Sequence, residues 1–219
     1  MTVDHIIEIG IYLLTLYLLI YAWKMGPVNT FIMLSAMLFG YISEHTALSS
    51  VPQPYYYPSA LIYLPGQVPL DICAGWGIII FSAMHTVRRL NIDWRIQPLM
   101  AGFLALIIDL AEDPSFVAMK NWIWTPSYPE QWFGIPWANY VGWFLIVVSF
   151  LFSLELLYRR WPSGEKMWRD ALISFVAITP AFLAFMVGIK SFVWAYTTLG
   201  INEALLTFVI FAAAAPSVR

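Results

Sequence analysis

The sequence predicts an all-α fold, a polytopic membrane helix bundle of about seven transmembrane helices, on three observations. Of 219 residues, 61% are hydrophobic and only 11% are charged, whereas about a quarter of a soluble domain is charged. Mean hydropathy is +0.73, and apolar runs of about 20 residues, the length a bilayer requires, recur from end to end. Lys and Arg also fall on alternate connections. No segment is long or polar enough for a separate soluble unit, so residues 1–219 read as a single integral membrane domain.

The apolar runs place helices at roughly 5–23, 29–48, 68–89, 97–119, 135–158, 168–188 and 195–215, the last two separated by a weak break at Gly188-Ile189-Lys190-Ser191. No basic region precedes the first run, so no cleaved signal peptide is expected. With the N-terminus outside, the inner segments carry Lys24, Arg88, Arg89, Arg95, Arg159, Arg160, Lys166, Arg169 and Arg219, and the outer ones only Lys120 and Lys190. The positive-inside rule therefore favours an outer N-terminus and a cytoplasmic C-terminus. The outer loops, 49–67 and 120–134, are rich in Pro, Tyr and Trp. Such rings anchor a chain at the membrane interface and can equally cover a cavity.

The second and third helices repeat in the fourth and fifth. Val68-Pro69 precedes Gly75-Trp76 as Ile135-Pro136 precedes Gly142-Trp143, an offset of 67 positions. Each pattern follows an aromatic loop and a helix with acid near its outer end, Glu44 in one case and Asp109 and Asp113 in the other. This predicts a parallel duplication of helices 2–3 and 4–5.

Asp109-Leu110-Ala111-Glu112-Asp113-Pro114 places three carboxylates where an apolar run ends. Charge inside a bilayer is costly and marks function by default. Asp109 and Asp113, four apart, share a helix face, and two carboxyls so close in a low dielectric are expected to hold one proton between them. Pro114 clashes with the carbonyl of Leu110, so the helix should kink or end there. Glu44 is the other acid flanked by apolar residues. Asp71 and Asn139 open helices 3 and 5, where each is either a ligand-facing group or a local packing residue. Glu8 reads as a solvated acid near a helix start, Glu203 as a polar group in the last helix, and Glu155 as an i,i+4 partner of Arg159.

Several chemistries are disfavoured. A lone cysteine, Cys73, forms no internal disulfide. His5, His45 and His85 are too scattered for a haem or di-iron site, there is no glycine-rich nucleotide loop, and no basic tract suits nucleic acid. Neither metal nor cofactor is expected, which leaves carboxylate chemistry or proton transport.

The run Asp109-Leu110-x-x-Asp113-Pro114, Trp122-x-Trp124, Gly134-Ile135-Pro136-x-x-Asn139-x-x-Gly142-Trp143 resembles the carotenoid-biosynthesis integral membrane proteins, among them carotenoid 1,2-hydratases and bisanhydrobacterioruberin hydratases. Glu44, the Tyr55–Tyr57 run, Val68-Pro69 and Gly75-Trp76 share the likeness, which covers roughly residues 40–145; Glu112 departs from it. The resemblance implies cofactor-free hydration of an isoprenoid double bond. A carboxylic acid protonates the alkene, aromatic faces stabilise the cation, and water is captured. Asp109 and Asp113 are the expected acid pair, Glu44 the partner acid or base, and Asn139 the group orienting water or substrate. Asp71, Trp122, Trp124, Trp143 and Tyr56 are the expected substrate-lining residues. The substrate is a hydrophobic isoprenoid drawn from the bilayer. A terpene or meroterpenoid cyclase uses the same protonation, and a proton-coupled transporter is the non-enzymatic alternative.

Overall fold

The computed structural model describes residues 3–125, 131–162, 164, 166–202, 204–206 and 209. Among these are seven helices: α1 (Val3–Met25), α2 (Pro27–Leu48), α3 (Leu70–Arg88), α4 (Gln97–Ala118), α5 (Trp137–Arg160), α6 (Met167–Val176) and α7 (Ile178–Leu199). Five stretches are long and apolar enough to cross a membrane, with Met167–Leu199 counted as one. The helix α4 is as long as its neighbours, at 22 residues, but carries Asp109, Glu112 and Asp113. Large apolar side chains such as Leu13, Leu16, Ile107, Leu183 and Trp194 are exposed, as suits a protein whose outer surface meets lipid.

The last two helices differ from the spans expected at 168–188 and 195–215. There is no break at Gly188–Ser191, which lies within α7. Helical bonding runs from α6 into α7, Ala177 N–H donating to Ile173 O and Ala181 N–H to Ala177 O. Pro180 has no N–H for the carbonyl of Val176, which accounts for the interruption between them. The true stop is Gly200, at φ 100°, after which helix resumes at Ile201. A helical stretch of 33 residues, interrupted at Ala177, thus replaces the expected sixth span. Glu203 and Arg219 lie outside the described residues.

The core is packed by Phe39, Ile80, Phe81, Val147, Phe150 and Leu154, all buried. Polar pairing at the end of the bundle opposite the aromatic loops differs from expectation. Glu155 pairs with Arg88 of α3 at 2.5 Å, while Arg159 lies over the Trp94 ring.

Six two-residue strands organise the aromatic loops: β1 (Tyr55–Tyr56), β2 (Tyr63–Leu64), β3 (Val68–Pro69), β4 (Ile123–Trp124), β5 (Gln131–Trp132) and β6 (Ile135–Pro136). They form the antiparallel pairs β2·β3, β5·β6 and β1·β4. The β5·β6 turn needs positive φ at Phe133 (53°) and Gly134 (78°), the geometry of a tight hairpin. Each hairpin leads into a helix through proline: Pro69 (φ −65°, ψ 139°) caps α3 and Pro136 (φ −62°, ψ 141°) caps α5. The duplication read from the sequence therefore recurs as hairpin, proline cap and helix.

Candidate active site

Glu44 lies near the end of α2, 7% exposed, and accepts three hydrogen bonds. The Tyr55 hydroxyl donates to Oε2 at 2.6 Å and the Tyr57 hydroxyl to the same atom at 3.0 Å. Trp76 Nε1–H donates to Oε1 at 3.0 Å. Local geometry explains each donor. Alternation along an extended segment turns Tyr55 and Tyr57 to one side and Tyr56 to the other. The indole of Trp76 crosses α2 directly over Gly40, where a β-carbon would lie 2.5 Å from Trp76 Cβ. Burial, and then the adjacent Glu44 carboxyl, push both phenols well above their ordinary pKa, so they remain donors.

Facing this group is the acid pair of α4. Asp109 is fully buried and Asp113 is 2% exposed, and four residues apart they share one face of α4. Asn139, in the first turn of α5, joins them: its Nδ2 donates to Asp109 Oδ1 at 3.3 Å and to Asp113 Oδ2. Pro114 does not end the helix, which continues to Ala118.

The two groups share a cavity of about 70 Å³ lined by Glu44, Tyr55, Tyr57, Asp71, Trp76, Glu112, Asp113, Trp122, Trp124, Asn139 and Trp143. All but two of the residues expected at the site from sequence thus meet in one place. Asp109, fully buried, shares the Asn139 amide with Asp113 without lining the wall. Tyr56 does not line this cavity: it is 43% exposed, and its neighbours Tyr55 and Tyr57 line the wall instead. Glu8 is also corrected. Far from solvated, it is 5% exposed and accepts the backbone N–H of Leu61 at 2.8 Å, tying the first aromatic loop to α1.

Tyr55, Tyr57 and Trp76 were not singled out from sequence, although a signal existed: Tyr55 and Tyr57 precede Trp122 and Trp124 by the repeat offset. The fold turns that offset into a two-fold relation. Strand pairing sets Tyr55 opposite Trp124 and Tyr56 opposite Ile123; exchanging the two halves returns Tyr56–Ile123 to itself and carries Tyr55–Trp124 onto Tyr57–Trp122. Tyr55 meets Trp124 edge-on at 4.7 Å between centroids, and Tyr57 meets Trp122 likewise at 6.2 Å. Trp76 and Trp143, equivalent in the two halves, lie 4.6 Å apart. The cavity is therefore built where the duplicated halves meet, as in other membrane proteins made of repeats.

Bisanhydrobacterioruberin hydratase of Haloarcula japonica is 35% identical over 79 residues, 33% of this chain and 26% of that protein. The match thus spans about a quarter of that relative's length. No solved structure matches the chain. The sequence profile of the carotenoid biosynthesis protein family matches residues 5–213, nearly the full length, and the chain belongs to that family.

Proposed function

We propose that this membrane protein hydrates a terminal isoprenoid double bond, with Asp113 as proton donor and Glu44 as base. The observation that carries this reading is that Asp113, Glu44 and Asn139 line one cavity ringed by Trp76, Trp122, Trp124 and Trp143. The hydratase relative supports the same chemistry.

Asp113 lines the cavity and shares the Asn139 amide with Asp109, so the pair can hold one proton and present it to substrate. Donation to the less substituted alkene carbon forms a C–H bond and leaves a tertiary carbocation. The indole faces around the cavity stabilise that positive charge and keep bulk water away. One water held by Asn139 or Glu44 adds to the cation, forming the C–O bond, and its proton passes to Glu44. Return of that proton to Asp113 restores the enzyme, so the net reaction adds one water and needs no oxidant or reductant. In this reading Tyr55, Tyr57 and Trp76 hold Glu44 in place as an acceptor. Asp109 positions Asp113.

The charge bias of the connections supports an outer N-terminus, which sets the cavity toward the outer leaflet. The apolar core below it, including Phe39, Ile80 and Phe150, argues against a proton path through the bundle and hence against a transporter. Expression in a host that accumulates linear carotenoid precursors tests the proposal. A product heavier by one water is expected; an isomer of unchanged mass would instead indicate cyclisation.

A further inference from the structure

The cavity described above has a counterpart across the two-fold relation. The first lies against Ile72, Gly75, Trp76 and Ile79 of α3 and is closed by Ile11 of α1. The second lies against Asn139, Gly142, Trp143 and Ile146 of α5 and is closed by Ile189 and Val193 of α7. The α3 and α5 residues match one for one at the repeat offset. Glu44, Tyr55, Trp76, Trp124, Asn139 and Trp143 belong to both and form the wall between them.

The two grooves differ in chemistry. On the α1–α3 side are Asp71, Glu112 and Asp113, and a neighbouring cleft adds Glu8 and Asn121. Asp71 is 9% exposed, and its Oδ1 has no hydrogen-bond partner among the described residues. A hydrocarbon chain laid here would strand those polar groups, whereas water would satisfy them. On the α5–α7 side, beyond the shared wall, Ser43 is the one polar side chain among the described lining residues, and Ala47, Ile146, Phe185, Ile189 and Val193 present hydrocarbon. That cavity holds about 150 Å³, roughly twice the 70 Å³ of its counterpart.

We infer that the duplicated grooves have divided the work: the isoprenoid tail lies in the apolar groove between α2, α5 and α7, and water and protons arrive by the polar groove between α1, α3 and α4. The inference rests on the hydration reading for the identity of the chain, and on groove chemistry for its placement. The reacting double bond then sits at the shared wall. Glu44 and Asn139 are within reach there of both the chain terminus and the water.

The test uses the full chain in lipid nanodiscs with a linear isoprenoid that ends in an isopropylidene group and carries a diazirine about midway. Photolysis and peptide mass spectrometry locate the adducts, and product formation is followed separately on the same nanodiscs. Adducts are expected at Ile146, Ile189 or Val193, falling at least about ten-fold with excess unlabelled isoprenoid and in Val193→Trp, but unaffected by Ile11→Trp. Adducts at Ile11 or Ile79, or none that the competitor displaces, overturn the assignment. Adducts in the α5–α7 groove without a hydrated product would leave the groove standing and sink the hydration reading. A hydrated product with adducts elsewhere would do the reverse.

Discussion

Trp76 and Trp143 pack ring against ring, 4.6 Å between centroids and tilted by 46°, at equivalent places in two halves of one chain. Each follows the same hairpin and proline cap. The contact places Trp76 so that its indole N–H reaches Glu44, while Trp143 comes from the helix that carries Asn139. A packing contact between repeats thereby holds Glu44 and Asn139 across one cavity.

Trp76→Phe keeps an aromatic ring and removes the donor to Glu44. A hydrogen bond to a charged group contributes about 1.5–3 kcal/mol, so turnover should drop by roughly ten-fold or more if Glu44 acts as base. Gly40→Ala, which displaces the indole, should show a similar loss. Initial rates of product formation in purified membranes check both.

The three tyrosines of the first loop should separate cleanly. Tyr55→Phe and Tyr57→Phe each remove a hydrogen bond to Glu44 and should lower turnover. Tyr56→Phe, on the exposed side of the strand, should leave it within about two-fold, since surface changes rarely exceed ~0.5 kcal/mol. The same rate assay on the three variants decides it.

The buried phenols also predict a pH dependence of stability. Their pKa values are raised in the folded chain by burial and then by Glu44, whereas unfolded tyrosine titrates near 10.0. For groups raised in this way, stability is fully present below the unfolded pKa. It declines as pH rises beyond that value, because only the unfolded chain then loses the protons. Thermal unfolding in detergent should therefore weaken above about pH 10. The Tyr55→Phe, Tyr57→Phe double variant should weaken less over the same range.

Asp113→Asn should reduce turnover by about 10²–10⁴-fold, the range for loss of a general acid. Asp109→Asn should cost less, because Asp109 supports Asp113 without lining the cavity. Equal losses would mean that the pair acts as a unit, with neither carboxyl alone the donor.

Much of this was legible in the sequence because burial and charge leave strong marks in a membrane chain. Asp109, Asp113 and Glu44 stood out because an acid among apolar residues is rare; the fold brings Asp113 and Glu44 to one cavity and buries Asp109 outside its wall. Asn139 and the tryptophans followed from the repeat and the family likeness. What escaped depended on short-range geometry. Tyr56 differs from Tyr55 and Tyr57 only in the side of a two-residue strand it occupies, and a one-residue change of register exchanges those sides. The break between the last helices was placed at Gly188–Ser191 because Lys190 interrupts the apolar run, yet Lys190 lies exposed on the outside of α7, where a long stem carries its charge along apolar surface. Gly200 at positive φ was the real stop. Glu155 found Arg88 on another helix in place of its own neighbour Arg159, a tertiary choice that spacing alone does not encode.

The most direct test of the central claim is turnover of a linear carotenoid precursor in heavy-oxygen water, comparing the unaltered chain with Asp113→Asn in the same membranes. A product one water heavier, carrying the heavy oxygen, is expected from the unaltered chain, and its formation should all but disappear in the variant. An unlabelled product of unchanged mass, or full labelled turnover by Asp113→Asn, would contradict the claim.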